Sequence, residues 1–186
     1  MDRETTIAAT NSISGLPVLV SIIIPCYNHE KYIERTLNSV VADSYPHKQI
    51  VIINDGSKDN SDAQIKEWIS IHKDEINVIY INRPNKGICA TLNEMIGLAG
   101  GKYILPLASD DCLYGDTIAK RVRILEERPD KSVLLNDAFV IDDDDNIIMQ
   151  SSSTDYWKAD KSSYYDDEAI LKSCIKAPRI AGPVIF

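Results

Sequence analysis

The chain alternates between short apolar segments and segments in which apolar residues recur every three or four positions. The apolar segments are 18–25, 49–53, 77–81 and 102–107. Their brevity and scarcity of polar residues are typical of strands that are covered on both faces of a sheet. Strands and helices that alternate in this way predict an α/β domain with a mainly parallel central sheet and helices on both faces.

The expected helices lie between and after these strands, at 31–41, 61–72, 88–96 and 116–127. Ser61 is the expected N-cap of the second helix, because its hydroxyl can accept a hydrogen bond from the first turn. The third helix is marked by Ile88, Leu92, Met95 and Ile96, and the Gly100–Gly101 pair is expected to stop it.

The pattern changes after residue 129. Segments 133–141 and 147–151 flank the acidic run Asp142–Asp145, and together they predict a β-hairpin with a solvated turn. The last segment, 180–186, is apolar and is expected to begin another strand. We therefore expect a disordered leader at 1–17, an α/β domain at 18–129 and an incomplete region at 130–186.

Composition and charge narrow the classes of function. The net charge of −8 argues against sequence-independent binding to nucleic acid or to an anionic membrane. None of the four cysteines forms a C-x-x-C pair, so neither a zinc ribbon nor a redox motif is indicated. The sequence carries no signal peptide and no apolar run of about 20 residues, which predicts a cytoplasmic protein, or a peripheral one at the inner face of the membrane.

The most informative polar residues are Asp110 and Asp111, which follow the apolar segment 103–107. Two adjacent carboxylates at the end of a buried strand repel each other unless a cation offsets their charge. Mg²⁺ or Mn²⁺ suits oxygen ligands of this kind, and a phosphate is its usual third partner. The alternative is a solvated turn, where Asp is common.

Two other strand ends carry matching chemistry. Pro25 turns the chain out of the sheet, so that Tyr27 can stack on a flat base, although packing on the next helix is the alternative for this ring. Asp55 precedes Gly56, which permits a sharp turn and leaves the carboxylate at the strand tip. An acceptor-only group there suits the ring N–H of a pyrimidine or a ribose hydroxyl.

Basic residues follow the third strand. Lys86 or Arg83 can meet a diphosphate, and the alternative is a pair of solvated surface cations. The chain has no G-x-x-x-x-G-K-[ST] motif and no G-x-G-x-x-G after the first strand, which argues against a P-loop NTPase and a dinucleotide-binding domain. A stacking ring, a base acceptor and a carboxylate pair together predict a site for a metal-bound nucleoside diphosphate.

Four segments carry a resemblance to a known family: V-S-I-I-I-P-C-Y-N (20–28), I-V-I-I-N-D-G-S-K-D (50–59), N-K-G-I (85–88) and Y-I-L-P-L-A-S-D-D (103–111). In order and spacing this pattern resembles the nucleotide-sugar-binding half of family 2 glycosyltransferases, which have the GT-A fold. The resemblance extends over residues 18 to about 129, and it makes 130–186 the start of an acceptor-side region that is cut short.

The resemblance implies a role for each strand end. Pro25, Cys26 and Tyr27 would form the wall against the donor's base, and Asp55 would hold the base, typically uracil. Asp110 would contact the ribose or the sugar.

Asp111 would bind the metal, as in the family's D-x-D motif. Asn54 and Ala108 depart from the pattern, since many members have Asp at both positions. In the family a downstream acidic residue acts as general base. We expect that residue beyond Phe186, because Asp137 and Asp155 have no motif support.

The predicted function is an inverting glycosyltransferase that uses a UDP-sugar and Mn²⁺ or Mg²⁺ to modify a carbohydrate or lipid-linked acceptor. A donor-binding fragment or non-catalytic nucleotide-binding module of the same fold is the main alternative. A sugar-nucleotide pyrophosphorylase would need a glycine-rich first loop, which segment 18–28 lacks. A phosphorylated receiver domain would leave Tyr27 and the Asp110–Asp111 pair without a purpose.

Overall fold

The structure, a computed structural model, describes residues 18–159 and residues 166, 168, 169 and 172. The predicted leader at 1–17 and the predicted strand at 180–186 lie outside the described residues. The first eight elements alternate as expected: β1 (Val20–Cys26), α1 (Ile33–Ala42), β2 (Lys48–Asn54), α2 (Ser61–His72), β3 (Asn77–Asn82), α3 (Ile88–Leu98), β4 (Tyr103–Pro106) and α4 (Ile118–Glu127).

The four strands form one parallel sheet in the order β3-β2-β1-β4. Its central strand is β1, where Ile22 lies opposite Ile50 of β2 and Leu105 of β4. The order confirms the mainly parallel sheet predicted from the sequence. It also places the carboxyl ends of all four strands along one edge, where ligands of such sheets bind.

Helices cover both faces of the sheet, as predicted. Side chains alternate across a strand, so Ile22 and Ile24 join the core under α1, α2 and α4, whereas Ile23 joins the core under α3. Each of these isoleucines is at most 1% exposed. Burial of such a side chain contributes about 1.5–3 kcal/mol, and the apolar run of β1 thereby holds both layers together.

The predicted third helix is present as α3, but only part of the apolar set that marks it is buried. Met95 is fully buried, but Ile88 and Ile96 are 56% and 52% exposed. Met95 and Ile96 are consecutive and point about 100° apart around the helix, so only one of them can face the sheet centre. The other buried residue of α3 is Thr91. Ile88 is the first residue of the helix and lies near the carboxyl ends of the strands, where it lines the cavity described below.

The hairpin after residue 129 is present, with β5 (Val140–Ile141) and β6 (Ile147–Met149) antiparallel. A π-helical turn at Ser152–Tyr156 follows it, which the sequence did not predict. Asp137 accepts hydrogen bonds there from the Ser151 hydroxyl and from the Ser153 backbone N–H. Among the described residues, no helix has the length and apolar character that crossing a membrane requires.

Candidate functional site

A cavity of about 370 Å³ opens at the carboxyl ends of the strands. Loops that follow β1, β2, β3 and β4 all contribute to its wall. The lining residues are Pro25, Cys26, Tyr27, His29, Asp55, Asn85, Gly87, Ile88, Thr91, Ala108, Ser109 and Asp110. Six of the seven site residues predicted from the sequence are accounted for in or beside this cavity, as described below.

The β1–α1 loop carries Tyr27, whose ring is 47% exposed. The backbone N–H groups of residues 28, 29 and 30 donate to Ser57 Oγ (2.9 Å), Ser61 Oγ (3.1 Å) and Asp59 Oδ2 (2.9 Å). The β2–α2 loop thus fixes the backbone next to Tyr27. The ring itself stands at the cavity instead of being buried against α1, which was the alternative.

Ser61 is not the N-cap of α2. Asn60 occupies the N-cap position, and Ser61 is the first helical residue. Its hydroxyl donates to Asp59 Oδ1 at 2.6 Å while accepting from the β1–α1 loop. Ser61 therefore joins two loops, a role that local sequence pattern could not reveal.

Pro25 and Cys26 form the apolar part of the wall. Pro25 does not turn the chain out of the sheet, since β1 continues through Cys26 and Pro25 lies opposite Ile53 of β2. Cys26 is 1% exposed. Burial raises the pKa of its thiol, and hydrogen bonds from Ser61 and Ser109 only partly oppose that effect. The sulfur is therefore neutral at physiological pH and acts as packing, not as a nucleophile.

Asp55 projects from the end of β2 into a set of donors. Its Oδ1 accepts from Lys86 N at 2.9 Å and from the Arg83 guanidinium, and its Oδ2 accepts from Gly87 N at 2.9 Å. Burial alone would raise the pKa of Asp55, but these hydrogen bonds outweigh burial and lower it. Asp55 is consequently a fixed carboxylate at the cavity wall.

Both basic candidates have carboxylate partners in this structure. The Arg83 guanidinium is bound to Asp55, to Glu94 Oε2 (3.1 Å) and to Thr91 Oγ1 (2.9 Å). Lys86 is not among the residues that line the cavity; its side chain is 56% exposed, its Nζ lies 3.4 Å from Glu94 Oε2, and its contact with a diphosphate stays a prediction. Glu94, which the sequence did not single out, attracts both cations to the outer side of the loop.

Gly56 permits the sharp turn after β2, as predicted. Gly56 has φ +77°, and a Cβ there would lie 2.7 Å from the backbone nitrogen of Asn85. Asn54, where many family members have Asp, is buried and its Oδ1 accepts from Ser57 Oγ at 2.5 Å. Asn54 thus stabilises the turn after β2 through Ser57, and Asp55 still lines the cavity.

The carboxylate pair lies where the sequence predicts, just beyond β4. Asp110 lines the main cavity and its side chain is 48% exposed. Asp111 lines an adjoining cavity of about 260 Å³, which shares Pro25, Ile88 and Ala108 with the first. Surrounding protein and then the charge of Asp110 raise the pKa of Asp111, which is the unfavourable repulsion that a cation would relieve.

His29 borders this pair and was missed at the sequence level. Its Nδ1 lies 2.7 Å from Ser109 Oγ and 3.9 Å from Asp110 Oδ1. The contact fixes the loop that carries the two carboxylates. The only signal in the sequence is that a polar residue follows the first strand end by three positions.

Asp110 and Asp111 are the carboxylates at the cavity that could bind a divalent cation. Within the described part of the chain, no group of three or more His, Cys, Asp or Glu side chains could hold a metal. Asp110 and Asp111 alone supply two carboxylates from one loop. This set fits Mg²⁺ or Mn²⁺, which proteins often bind through one or two carboxylates, with substrate phosphates and water as the other ligands.

Comparison with known proteins agrees with this geometry. The profile of Glycosyl transferase family 2 matches residues 21–179. The chain belongs to this family. An uncharacterised glycosyltransferase of Rickettsia conorii is 36% identical over 118 residues, covering 63% of this chain and 19% of that protein. TuaG of Bacillus subtilis, a glycosyltransferase assigned to teichuronic acid biosynthesis, is 34% identical over 59% of this chain and 43% of its own length.

Solved structures confirm the GT-A fold of this family 2 chain. TarS of S. aureus, determined with UDP, has a TM-score of 0.57 at 26% identity, over 63% of this chain and 35% of that one. The mannosyltransferase PcManGT from Pyrobaculum calidifontis, determined with GDP-Man and Mn²⁺, has a TM-score of 0.62 at 20% identity, over 77% of this chain and 38% of that one. The family 2 chain thus spans less than half the length of each of these relatives.

Proposed function

We propose that this chain binds a UDP-sugar together with Mn²⁺ or Mg²⁺, as the donor part of an inverting glycosyltransferase. The observation that carries the proposal is that Tyr27, Asp55 and Asp110 line one cavity at the carboxyl edge of the sheet. These residues come from three different strand ends. Together they offer a stacking ring, a hydrogen-bond acceptor and a carboxylate at the place where α/β sheets bind ligands.

Two residues account for the choice of base. Tyr27 presents an exposed ring for stacking, which is worth about 1–3 kcal/mol per base. Asp55 is an ionised acceptor whose Oδ2 receives one hydrogen bond within the described residues, from Gly87. A second lone pair of that oxygen can accept the ring N–H of uracil. TarS, at 26% identity, was determined with UDP, which supports the same base here.

Asp110 and Asp111 would hold the divalent cation, with Asp110 also turned toward the ribose or the sugar. When bound, the cation supplies Lewis-acid stabilisation of the departing diphosphate. The contribution of the chain itself is to keep two carboxylates in one loop. The contact of His29 with Ser109 fixes that loop from the side of β1.

The acceptor and the general base belong to the activity of the whole enzyme. Neither acidic candidate near the hairpin suits the role of general base. Asp155 Oδ2 accepts from Ser151 N at 3.1 Å, and Asp137 binds the same turn. Hydrogen bonds lower the pKa of Asp137 despite its partial burial, which makes it a poor base. The proposed acceptor is a carbohydrate or lipid-linked one, as in polysaccharide synthesis, and the likeness to TuaG supports this class of pathway.

A melting experiment tests the donor class. The purified protein is heated with UDP, UDP-GlcNAc, GDP or CDP, each with and without Mn²⁺. At a ligand concentration 100-fold above Kd, binding stabilises the folded state by about 2.7 kcal/mol, which raises Tm by several degrees. We expect this rise with the uridine nucleotides and Mn²⁺, and a smaller one with GDP. An equal Tm with every nucleotide would contradict the proposal.

A further inference from the structure

Arg35 lies between the carboxylate pair and the acidic hairpin turn. It projects from α1, and its Nη1 donates to Asp145 Oδ1 while its Nη2 lies 3.4 Å from the backbone oxygen of Asp110. The guanidinium carbon is 5.8 Å from the centre of the Tyr32 ring. The guanidinium of Arg35 thus contacts the loop that carries Asp110 on one side and the hairpin turn on the other.

Hydrogen bonds within the acidic turn fix the backbone around Asp145. Asp142 Oδ1 accepts from the backbone N–H groups of residues 144 and 146, both at 2.9 Å, and so closes the turn on itself. Asp145 has φ +67°, a left-handed conformation that Asp and Asn tolerate. The Tyr32 hydroxyl donates to Asp143 Oδ1 at 3.3 Å. The acidic turn is solvent-exposed, as the sequence predicts, with the Asp145 side chain 57% exposed, and it also contacts α1 through Arg35.

The hydrogen bonding of Arg35 is incomplete in this position. Its Nε is buried and has no hydrogen-bond partner among the residues that the structure describes, and its contact with the Asp110 carbonyl is long. The guanidinium therefore lies beside the loop that carries the Asp110 and Asp111 carboxylates, without being held there by strong hydrogen bonds.

We propose that Asp145 is a positioning residue that holds Arg35 away from the carboxylates of Asp110 and Asp111, so that a divalent cation can bind them. The inference rests on the proposed function, since it concerns the cation of that site. A guanidinium forms strong, paired hydrogen bonds with carboxylates. Released from Asp145, Arg35 would bind Asp111 and occupy the oxygens that the cation needs.

Competition between Arg35 and the cation for the carboxylates predicts a specific order of Mn²⁺ affinity in four proteins. Mn²⁺ is titrated into the purified wild type, Asp145→Asn, Arg35→Gln and the double variant, and free Mn²⁺ is followed by electron paramagnetic resonance. Asn is chosen because it tolerates the left-handed conformation at position 145. We expect Asp145→Asn to weaken Mn²⁺ binding about two- to fivefold, the range of an exposed ion pair. Arg35→Gln and the double variant should bind at least as tightly as wild type.

Asp143→Asn is the matched control, because it removes an equal charge from the same turn and leaves the Arg35–Asp145 contact intact. Its Mn²⁺ affinity should remain within twofold of wild type. Melting curves of every variant report folding independently of Mn²⁺.

Rescue in the double variant is the decisive result, since a purely structural role of the contact would leave it as weak as Asp145→Asn. Weak Mn²⁺ binding by the double variant, or unchanged Mn²⁺ binding by Asp145→Asn, overturns the inference. In either case, Mn²⁺ binding by the wild type still supports the metal site. If wild type binds no Mn²⁺, with or without UDP, the metal site and this inference both fall.

Discussion

Asp55 and Arg83 form an ion pair in which the side chains are only 7% and 9% exposed. The pair links the end of β2 to the loop that follows β3. The carboxylate proposed to hold the base is therefore also the anchor of the loop beside it. Binding and stability should respond together when this pair is changed.

Replacement of Arg83 by Met should destabilise the fold strongly. It leaves the Asp55 carboxylate buried without its cation, and breaking a buried pair in this way costs about 3–5 kcal/mol. Because the N–H groups of Lys86 and Gly87 still donate to Asp55, we expect the lower end, about 3 kcal/mol. Urea unfolding monitored by circular dichroism measures the change.

Lys86→Met is the control for the loss of a basic side chain from the same loop. Its ammonium is exposed and lies near Glu94, so we expect a change below about 1 kcal/mol. Equal destabilisation by the two substitutions would show that the Asp55–Arg83 pair has no special role.

The stability that Asp55 provides should depend on pH. Its pKa is lower in the folded protein than its ordinary value, because hydrogen bonds from Lys86, Arg83 and Gly87 outweigh burial. Its contribution is therefore present above an unfolded pKa of about 3.9 and is lost as pH falls through the folded value. The difference in unfolding free energy between wild type and Asp55→Asn should be large at neutral pH and shrink below about pH 4. If this difference in unfolding free energy grew as the pH fell, the pKa of Asp55 would be raised in the folded protein, contrary to this prediction.

Tyr27→Ala should weaken UDP binding by about 1–3 kcal/mol, since it removes the stacking surface. The melting temperature without ligand should change little, because the ring is 47% exposed. Tyr27→Phe retains the ring and should bind UDP nearly as tightly as wild type. Calorimetry of the three proteins with UDP measures these affinities, and unchanged binding by Tyr27→Ala would exclude stacking.

Two glycines provide a matched test of backbone geometry. Gly56→Ala requires a left-handed residue whose Cβ would lie 2.7 Å from Asn85 N, so we expect a loss of more than about 1 kcal/mol. Gly97 lies inside α3 with open space around it, and Gly97→Ala should stabilise by about 0.5–1 kcal/mol. Urea unfolding of both variants compares them. Similar effects of the same sign would contradict this reading of Gly56.

Much of the fold follows from periodicity because its signals are local. A run such as Ile22–Ile24 has no polar face, so it can only be a strand covered on both sides. Parallel order then brings the strand ends together, which is why Tyr27, Asp55 and Asp110 could be predicted to converge before any coordinates were known. Gly56 was predictable for the same local reason, since a sharp turn at a strand end requires its conformation.

The remainder depends on contacts between distant positions, which local pattern does not encode. Arg35 meets Asp145 across 110 positions, and Asp55 meets Arg83 across 28. The sequence suggested Arg83 for a diphosphate, because its neighbours in the chain give no sign of Asp55, its partner in the fold. The exposure of Ile88 and Ile96 was missed for a related reason, since helical spacing does not say where the sheet ends.

In the proposed site, Asp110 and Asp111 bind a cation that in turn holds the nucleotide. Asp111→Asn preserves shape and removes one charge. Asp74→Asn is the charge-matched control, since Asp74 is exposed and precedes β3 at the opposite end of the sheet.

The most direct measurement is calorimetric titration of UDP into wild type and both variants, with and without Mn²⁺. We expect Mn²⁺ to strengthen UDP binding to wild type and Asp74→Asn at least tenfold, about 1.4 kcal/mol, and to have little effect on UDP binding to Asp111→Asn. Equal UDP affinity with and without Mn²⁺ in all three proteins would contradict it.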